Sequence, residues 1–317
     1  MRRVVVMLVV LLLAGCRSSA GPAPVASTPP VSGLSVLVST QVSPRVRDVT
    51  VQSAAVGDIV SVRLILPAGF GTDAAVRYPV LYLLHGASDS YAGWDESTDV
   101  ESLVAAAPVL VVMPEGGAAG FYSDWRTGPK WETFHLVELW KLLQEKYQAS
   151  DVRAIAGLSM GGLGALAYAA RHPGTFRAAA SFSGVTDTRL SPGESEFYQN
   201  LVRDTFLDPD ALWGDPAGDS AVWAAHNPTD LAAGLKGTKL FLSVGNGAPG
   251  PFDPHGAAID QSEAGLRQEN LALTGRLTSL GIPFQFDDYG PGTHSWPYWQ
   301  RELHRAWPML KEALTTP

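Results

Sequence analysis

Two kinds of apolar pattern follow one another along the chain. Short β-rich runs come first, at Leu34–Val42, Val46–Gln52 and Ile59–Leu66, and Ser43-Pro44 marks a turn between the first two. The pattern then changes. Short apolar runs recur at Val80–Leu84, Val109–Met113, Val152–Ala156, Ala178–Phe182, Lys239–Val244 and Phe284–Phe286. Between most of them lie stretches with helical spacing: Glu96–Ala106, Glu132–Tyr147, Met160–Arg171, Gln261–Leu280 and Trp299–Leu314. Alternation of strand and helix predicts a mostly parallel central sheet with helices on both faces. Near-continuous apolar strands such as VLYLL and VLVVM suit burial on both sides. Residues 185–236 break the alternation with several prolines and glycines, and read as a helical or loop insertion that could shape a binding site.

The N-terminus has a different pattern. Met1-Arg2-Arg3 is a short positive region, followed by the apolar run Val4–Leu13, too short to span a bilayer. The run ends in Leu13-Ala14-Gly15-Cys16, which resembles the bacterial lipobox. The expected organisation is a signal peptide at 1–15, a lipidated Cys16 with a flexible Ser/Ala/Gly/Pro-rich linker over 16–33, and one domain over 34–317. Lipidation at Cys16 would place the protein outside the cytoplasm, on the cell membrane. Cys16 is the only cysteine, so the mature domain would have no internal disulfide.

Composition narrows the partners. Of 317 residues, 46% are hydrophobic and 17% charged, an ordinary globular balance, and the formal net charge is −8. No Lys/Arg block follows residue 3, so no nucleic-acid partner is expected. The histidines show no metal-ligand spacing, and no metal is expected. Gly162-Leu163-Gly164-Ala165-Leu166-Ala167 fits a dinucleotide fingerprint, but its glycines fall inside a predicted helix rather than at its opening turn, so no cofactor is expected either. Those glycines read instead as close-packing positions of that helix against the sheet.

One short stretch carries chemistry. Gly157-Leu158-Ser159-Met160-Gly161 fits G-x-S-x-G, with a predicted strand before it and a predicted helix after it. That is the context of a nucleophile elbow, in which a strained turn holds a serine at the carboxyl edge of the sheet. A serine hydroxyl needs a base, and the order serine, acid, histidine places that base near the C-terminus. His294, in the loop after Phe284–Phe286, is the candidate; His304 lies mid-helix. The acid is less determined. No carboxylate stands directly after Lys239–Val244; Asp253, Asp260, Glu263 and Glu269 come next, and spacing leaves Asp260 and Glu263 level. Arg267, one helical turn beyond Glu263, is placed to pair with it.

These stretches resemble the secreted mycolyltransferases of mycobacteria, the fibronectin-binding antigen complex, within the esterase D-like branch of the α/β-hydrolases. The resemblance rests on YLLHG at 82–86, GWD at 93–95, VVMPEGG at 111–117, FYSDW at 121–125 and KWETF at 130–134. It continues through GLSMGG at 157–162, GNG at 245–247 and GTHSWPYW at 292–299. It implies an α/β-hydrolase fold and a glutamate acid followed by Arg at +4 and Asn at +7, which selects Glu263 with Arg267 and Asn270. It also implies oxyanion donors from the backbone N–H groups of Ala87 and Met160. The mycolyltransferases carry D-G-L-R where this chain has His85 and Ser88, and they carry a cysteine pair that is absent here. Trehalose recognition is therefore not implied, whereas acyl-enzyme chemistry is.

The expected activity is hydrolysis of a small-molecule or lipid acyl ester through an acyl-enzyme, with Ser159, His294 and Glu263 as nucleophile, base and orienting acid. The alternatives are acyl transfer to a sugar hydroxyl, with Trp125 and Trp296 among the tryptophans that could stack on the sugar, and a non-catalytic surface binding protein.

Overall fold

The computed structural model describes residues 33–316. Nine strands form one sheet: β1 (Leu34–Gln41), β2 (Val46–Ser53), β3 (Asp58–Ile65), β4 (Tyr78–Leu84), β5 (Leu110–Pro114), β6 (Ala149–Leu158), β7 (Ala178–Phe182), β8 (Lys239–Val244) and β9 (Gln285–Asp288). Their spatial order is β1-β2-β3-β5-β4-β6-β7-β8-β9. The pairings from β1 to β3, and β3 with β5, are antiparallel. Every pairing from β5 to β9 is parallel. The major helices are α1 (Leu139–Lys146), α2 (Met160–Arg171), α3 (Pro192–Asp204), α4 (Gln261–Ser279) and α5 (Trp296–Thr315). The sheet is thus mostly parallel, as expected.

The continuous apolar strands are explained by two cores, one on each face. Successive side chains of a strand point to opposite sides. Val80, Tyr82, Leu84, Leu110 and Val112 join one core, closed by Leu163 and Leu166 of α2 and Leu273 and Leu277 of α4. Leu81, Leu83, Val109, Val111 and Met113 join the other, closed by Leu303, Ala306 and Leu310 of α5. Each fully buried Leu or Val of this kind contributes about 1.5–3 kcal/mol of apolar burial. With both faces covered, a ligand must be met at an edge of the sheet or at the loops beyond the strand ends.

Two expected helices differ from the pattern that predicts them. The stretch 96–106 is two short helices, Gly93–Ser97 and Val100–Leu103. Thr98 separates them, its hydroxyl donating back to the Trp94 carbonyl and accepting from the Val100 amide at 3.3 Å. The stretch 132–147 contains a π-helical turn, Phe134–Glu138, between Trp131–Thr133 and α1. That wider turn carries His135 wholly into the core, where its Nδ1 meets the Tyr168 hydroxyl at 2.9 Å and its Nε2 the Glu115 carbonyl at 2.8 Å. Burial lowers the His135 pKa to about 4, so it is a neutral core histidine.

The expected insertion is present between β7 and β8. It comprises α3, three short helices at Asp210–Trp213, Ser220–Ala224 and Pro228–Leu231, and a final 3-10 turn at Ala232–Leu235. Ser191 accepts the Glu194 amide at 3.3 Å and so caps α3. A buried carboxyl from α4 holds the insertion down. Glu269 accepts the amides of Thr186 at 2.8 Å and Asp187 at 3.0 Å on one oxygen, and the Tyr198 hydroxyl on the other. Burial pushes the Glu269 carboxyl up to about 8.

Candidate active site

Ser159 stands between the end of β6 and the start of α2 with φ 52° and ψ −121°, a strained conformation for a residue with a side chain. Its neighbours make that turn possible. A Cβ on Gly157 would lie 2.1 Å from the Gly161 carbonyl oxygen, and one on Gly161 would lie 2.3 Å from the Leu84 carbonyl oxygen. Only glycine lets β4, β6 and the first turn of α2 approach so closely. The Ser159 amide donates to the Phe182 carbonyl at 3.0 Å, which fastens the turn to β7. Ser159 therefore sits at the positive end of the α2 dipole, above the carboxyl edge of the sheet.

The loop after β4 supplies the facing wall. His85 is buried and accepts the Gly116 amide on Nε2 at 2.8 Å, which leaves Nδ1 as donor to the Gly86 carbonyl at 2.8 Å. Its Nε2 also lies 3.3 Å from a Glu115 oxygen. The Gly116 amide and the Glu115 carboxylate converge on the same ring nitrogen. His85 thus spaces the turn that carries Ala87 next to Ser159.

His294 and Glu263 meet at the other side. His294 Nδ1 lies 2.7 Å from Glu263 Oε2. Glu263 is fully buried in the first turn of α4. Its Oε1 accepts the Ser183 hydroxyl at 2.7 Å, the Gly245 amide at 2.7 Å and the Tyr289 hydroxyl at 3.2 Å. Trp299 donates its indole N–H to Ser183 at 3.2 Å and packs edge-on against the His294 ring. Glu263 does not pair with Arg267: it faces inward, while Arg267 turns to Asp288 of β9 at 2.7 Å. Asp260, level with Glu263 by spacing, does not reach the imidazole; it caps α4 and accepts the His294 backbone amide at 2.8 Å.

Ser159 and His294 line the same two cavities. The larger, about 540 Å³, is walled mainly by Phe121, Met160, Val185, Phe197, Tyr198, Leu201 and Leu266. The smaller, about 390 Å³, opens on the other side of the serine and is walled by Ala87, Asp89, Ser295, Trp296 and Trp299, among others. Trp296 accordingly borders the site. Trp125 does not: it is buried in the core, its indole N–H donating to the Gly120 carbonyl at 2.9 Å, so it offers no stacking face. Among the described residues no cluster of three or more His, Asp or Glu side chains could hold a metal ion. His172 pairs with Glu132 at 2.6 Å, His304 with Asp99 at 2.8 Å, and His226 stacks on Trp213, all away from the serine.

Two contacts of the pair were not anticipated. Ser183 and Tyr289 carry no local motif and reach Glu263 only through the packing of β7 and β9, whereas Trp299 ends GTHSWPYW and reaches His294 through the packing of α5. GNG at 245–247 is a usable signal in retrospect. The missing carboxylate after β8 is replaced by a backbone amide, Gly245 N–H, that serves the carboxylate arriving from α4.

A serine, then a glutamate, then a histidine, delivered in that chain order to the carboxyl edge of a mostly parallel sheet, is the arrangement of the α/β-hydrolases. The chain is a member of that superfamily of serine esterases and acyltransferases. Within it the chain belongs to the Esterase family, whose profile matches residues 53–310. It is 34% identical over 276 residues to Esterase Rv1288 of Mycobacterium tuberculosis, covering 83% of this chain and 58% of that protein's length. It is 33% identical over 271 residues to the diacylglycerol acyltransferase/mycolyltransferase Ag85B of Mycobacterium intracellulare, covering 78% of this chain and 81% of that protein. Among solved structures it shares its fold with MPT51 (FbpC1) of Mycobacterium tuberculosis, at TM-score 0.69 and 23% identity over 83% of this chain and 96% of that one.

Proposed function

We propose that the chain hydrolyses a carboxylic ester through an acyl-enzyme formed on Ser159. The observation that carries this reading is the 2.7 Å contact between His294 Nδ1 and Glu263 Oε2 in a cleft that Ser159 also lines. Glu263 fixes the tautomer with hydrogen on Nδ1, which leaves Nε2 free to take the serine proton. Ser159 Oγ attacks the ester carbonyl, and the backbone N–H groups of Ala87 and Met160 receive the oxyanion, each donor contributing about 10²–10³ in rate. His294 then protonates the departing alcohol and afterwards activates the water that releases the acid. The larger apolar cavity suits the acyl chain. The smaller one, with Asp89, Ser295 and Trp296, suits the alcohol.

Ser159→Ala should reduce turnover of p-nitrophenyl esters by at least about 10⁴-fold and abolish labelling by a fluorophosphonate probe. Turnover within about tenfold of wild type would overturn the reading, and an unlabelled wild-type chain would favour a binding protein instead.

Acyl transfer is the second reading, supported by the similarity to Ag85B and by Trp296 beside the serine. Transfer differs from hydrolysis only in whether a sugar hydroxyl or water resolves the acyl-enzyme. Supplying a long-chain acyl donor with and without trehalose separates the two by their products. We also propose that residues 1–15 are removed and that Cys16 carries the lipid that holds the domain outside the cytoplasm. Both positions lie outside the described residues. Loss of fatty-acid labelling in Cys16→Ser is the expected result. Among the described residues no helix is long and apolar enough to cross a membrane.

A further inference from the structure

We infer that Asp260 is a positioning residue that sets the His294 loop against the Glu263 helix by using its two carboxylate oxygens for different ends of the pair. This rests on the Ser159–His294–Glu263 reading. Asp260 Oδ1 accepts the backbone amides of Ser262 at 3.0 Å and Glu263 at 3.2 Å, and the Ser262 hydroxyl at 2.5 Å. These bonds are ordinary helix capping, and Ser, Thr or Asn would supply them equally well. Asp260 Oδ2 does something a cap does not require. It accepts the backbone amide of His294 at 2.8 Å, from a loop 34 residues further along the chain.

The bonds close a ring. Asp260 holds the Glu263 main chain, the Glu263 side chain holds His294 Nδ1 at 2.7 Å, and the His294 main chain returns to Asp260. Only an ionised carboxylate has acceptors in both directions. A serine keeps one oxygen, and an asparagine turns an N–H₂ donor toward one of the two amides. The Asp260 carboxyl lies below its usual range despite burial, because the Ser262, His294 and Glu263 donors outweigh it. The main chain around it is also clamped: the Asp260 amide donates to the Gly247 carbonyl at 2.8 Å, and the Gly247 amide to the Gly292 carbonyl at 3.0 Å. The imidazole is thus tied at its ring by Glu263 and at its backbone by Asp260. An imidazole whose Nε2 must take a proton from the serine and hand it to the departing alcohol depends on such placement, since misplacement of about 1 Å can cost 10²-fold.

The test separates the two oxygens. Asp260→Ala should lower the thermal midpoint by about 2–4 °C, as expected for loss of a cap, and lower kcat by about 10–100-fold. Asp260→Ser should restore the midpoint without restoring kcat, while KM stays within about twofold of wild type. In both variants hydrogen exchange at the His294 amide should accelerate, a readout that needs no turnover. Recovery of kcat together with the midpoint in Asp260→Ser would show that Asp260 only caps the helix, and so would unchanged exchange at His294. If wild type hydrolyses no ester and takes no fluorophosphonate, the serine reading fails, and the exchange measurement still decides whether Asp260 holds the loop.

Discussion

The elbow at 157–162 and the insertion at 186–235 border the same cleft and are built on opposite principles. The elbow is held by backbone packed on backbone: the Gly157 and Gly161 positions leave no room for a Cβ, and Ser159 is bonded through its own amide. The insertion is held by side chains. Glu269 anchors the Thr186 and Asp187 amides, and Asn227 accepts the Thr188 amide at 2.9 Å while donating to Asp187 at 2.9 Å and Asp230 at 2.8 Å. Two of its cleft-facing members, Phe197 and Leu201, are ordinary apolar residues with room beside them. The position of the Ser159 oxygen is therefore fixed by atoms that cannot be exchanged. The shape of the chamber beside it rests on atoms that can.

The largest effect should come from breaking the elbow. Gly161→Ala places a methyl 2.3 Å from the Leu84 carbonyl oxygen and 2.7 Å from that of His85. Both carbonyls lie at the buried carboxyl end of β4, so a loss of at least about 3 kcal/mol in denaturant stability is expected, or no soluble protein at all. A variant of wild-type stability would show that the elbow has slack.

Resizing the insertion should act on substrate choice alone. Leu201→Trp should lower kcat/KM for dodecanoyl p-nitrophenyl ester by about 10–200-fold and leave the acetyl ester within about threefold of wild type. An equal fall for both esters would mean that the two regions are not separable.

The smallest effect concerns the anchor. The Glu269 carboxyl is raised from 4.5 to about 8, so between those values the folded chain retains a proton that the unfolded chain releases. Its contribution to stability is complete below about pH 4.5 and is lost as the pH rises toward 8. Glu269→Gln should flatten that part of the stability profile, read as thermal midpoints from pH 5 to 8. A profile parallel to wild type would assign the slope elsewhere.

Much of this architecture was legible in the residues. The apolar patterns located all nine strands: the central ones as short continuous runs, and β2 and β3 by alternation bounded by turn residues. Ser159 and His294, which the fold brings to one cleft, could be singled out because a strained turn and a terminal glycine-rich loop leave local marks. The breaks at Thr98 and Phe134–Glu138 were not, since each depends on a partner outside the run: a side-chain bond to the preceding turn in one case and a cavity for His135 in the other. Arg267 was misassigned for the same reason. Its true partner, Asp288, lies on a neighbouring strand that helical spacing cannot see. Asp260 and Glu263 stood level because rank between them depends on which points inward, a property of how α4 docks on the sheet.

The crowding around Glu263 limits how charge moves in the proposed reaction. One of its oxygens already meets three donors, at 2.7, 2.7 and 3.2 Å, and the other meets the imidazole at 2.7 Å. Three donors converging on one oxygen leave this carboxylate no freedom to swing, so its other oxygen stays at one place relative to the ring. In the proposed reaction Glu263 would therefore act as a stationary counter-ion. One hydrogen would then pass from the serine alcohol to the imidazole and on to the departing group, and the ring would hold its charge in place between the two transfers.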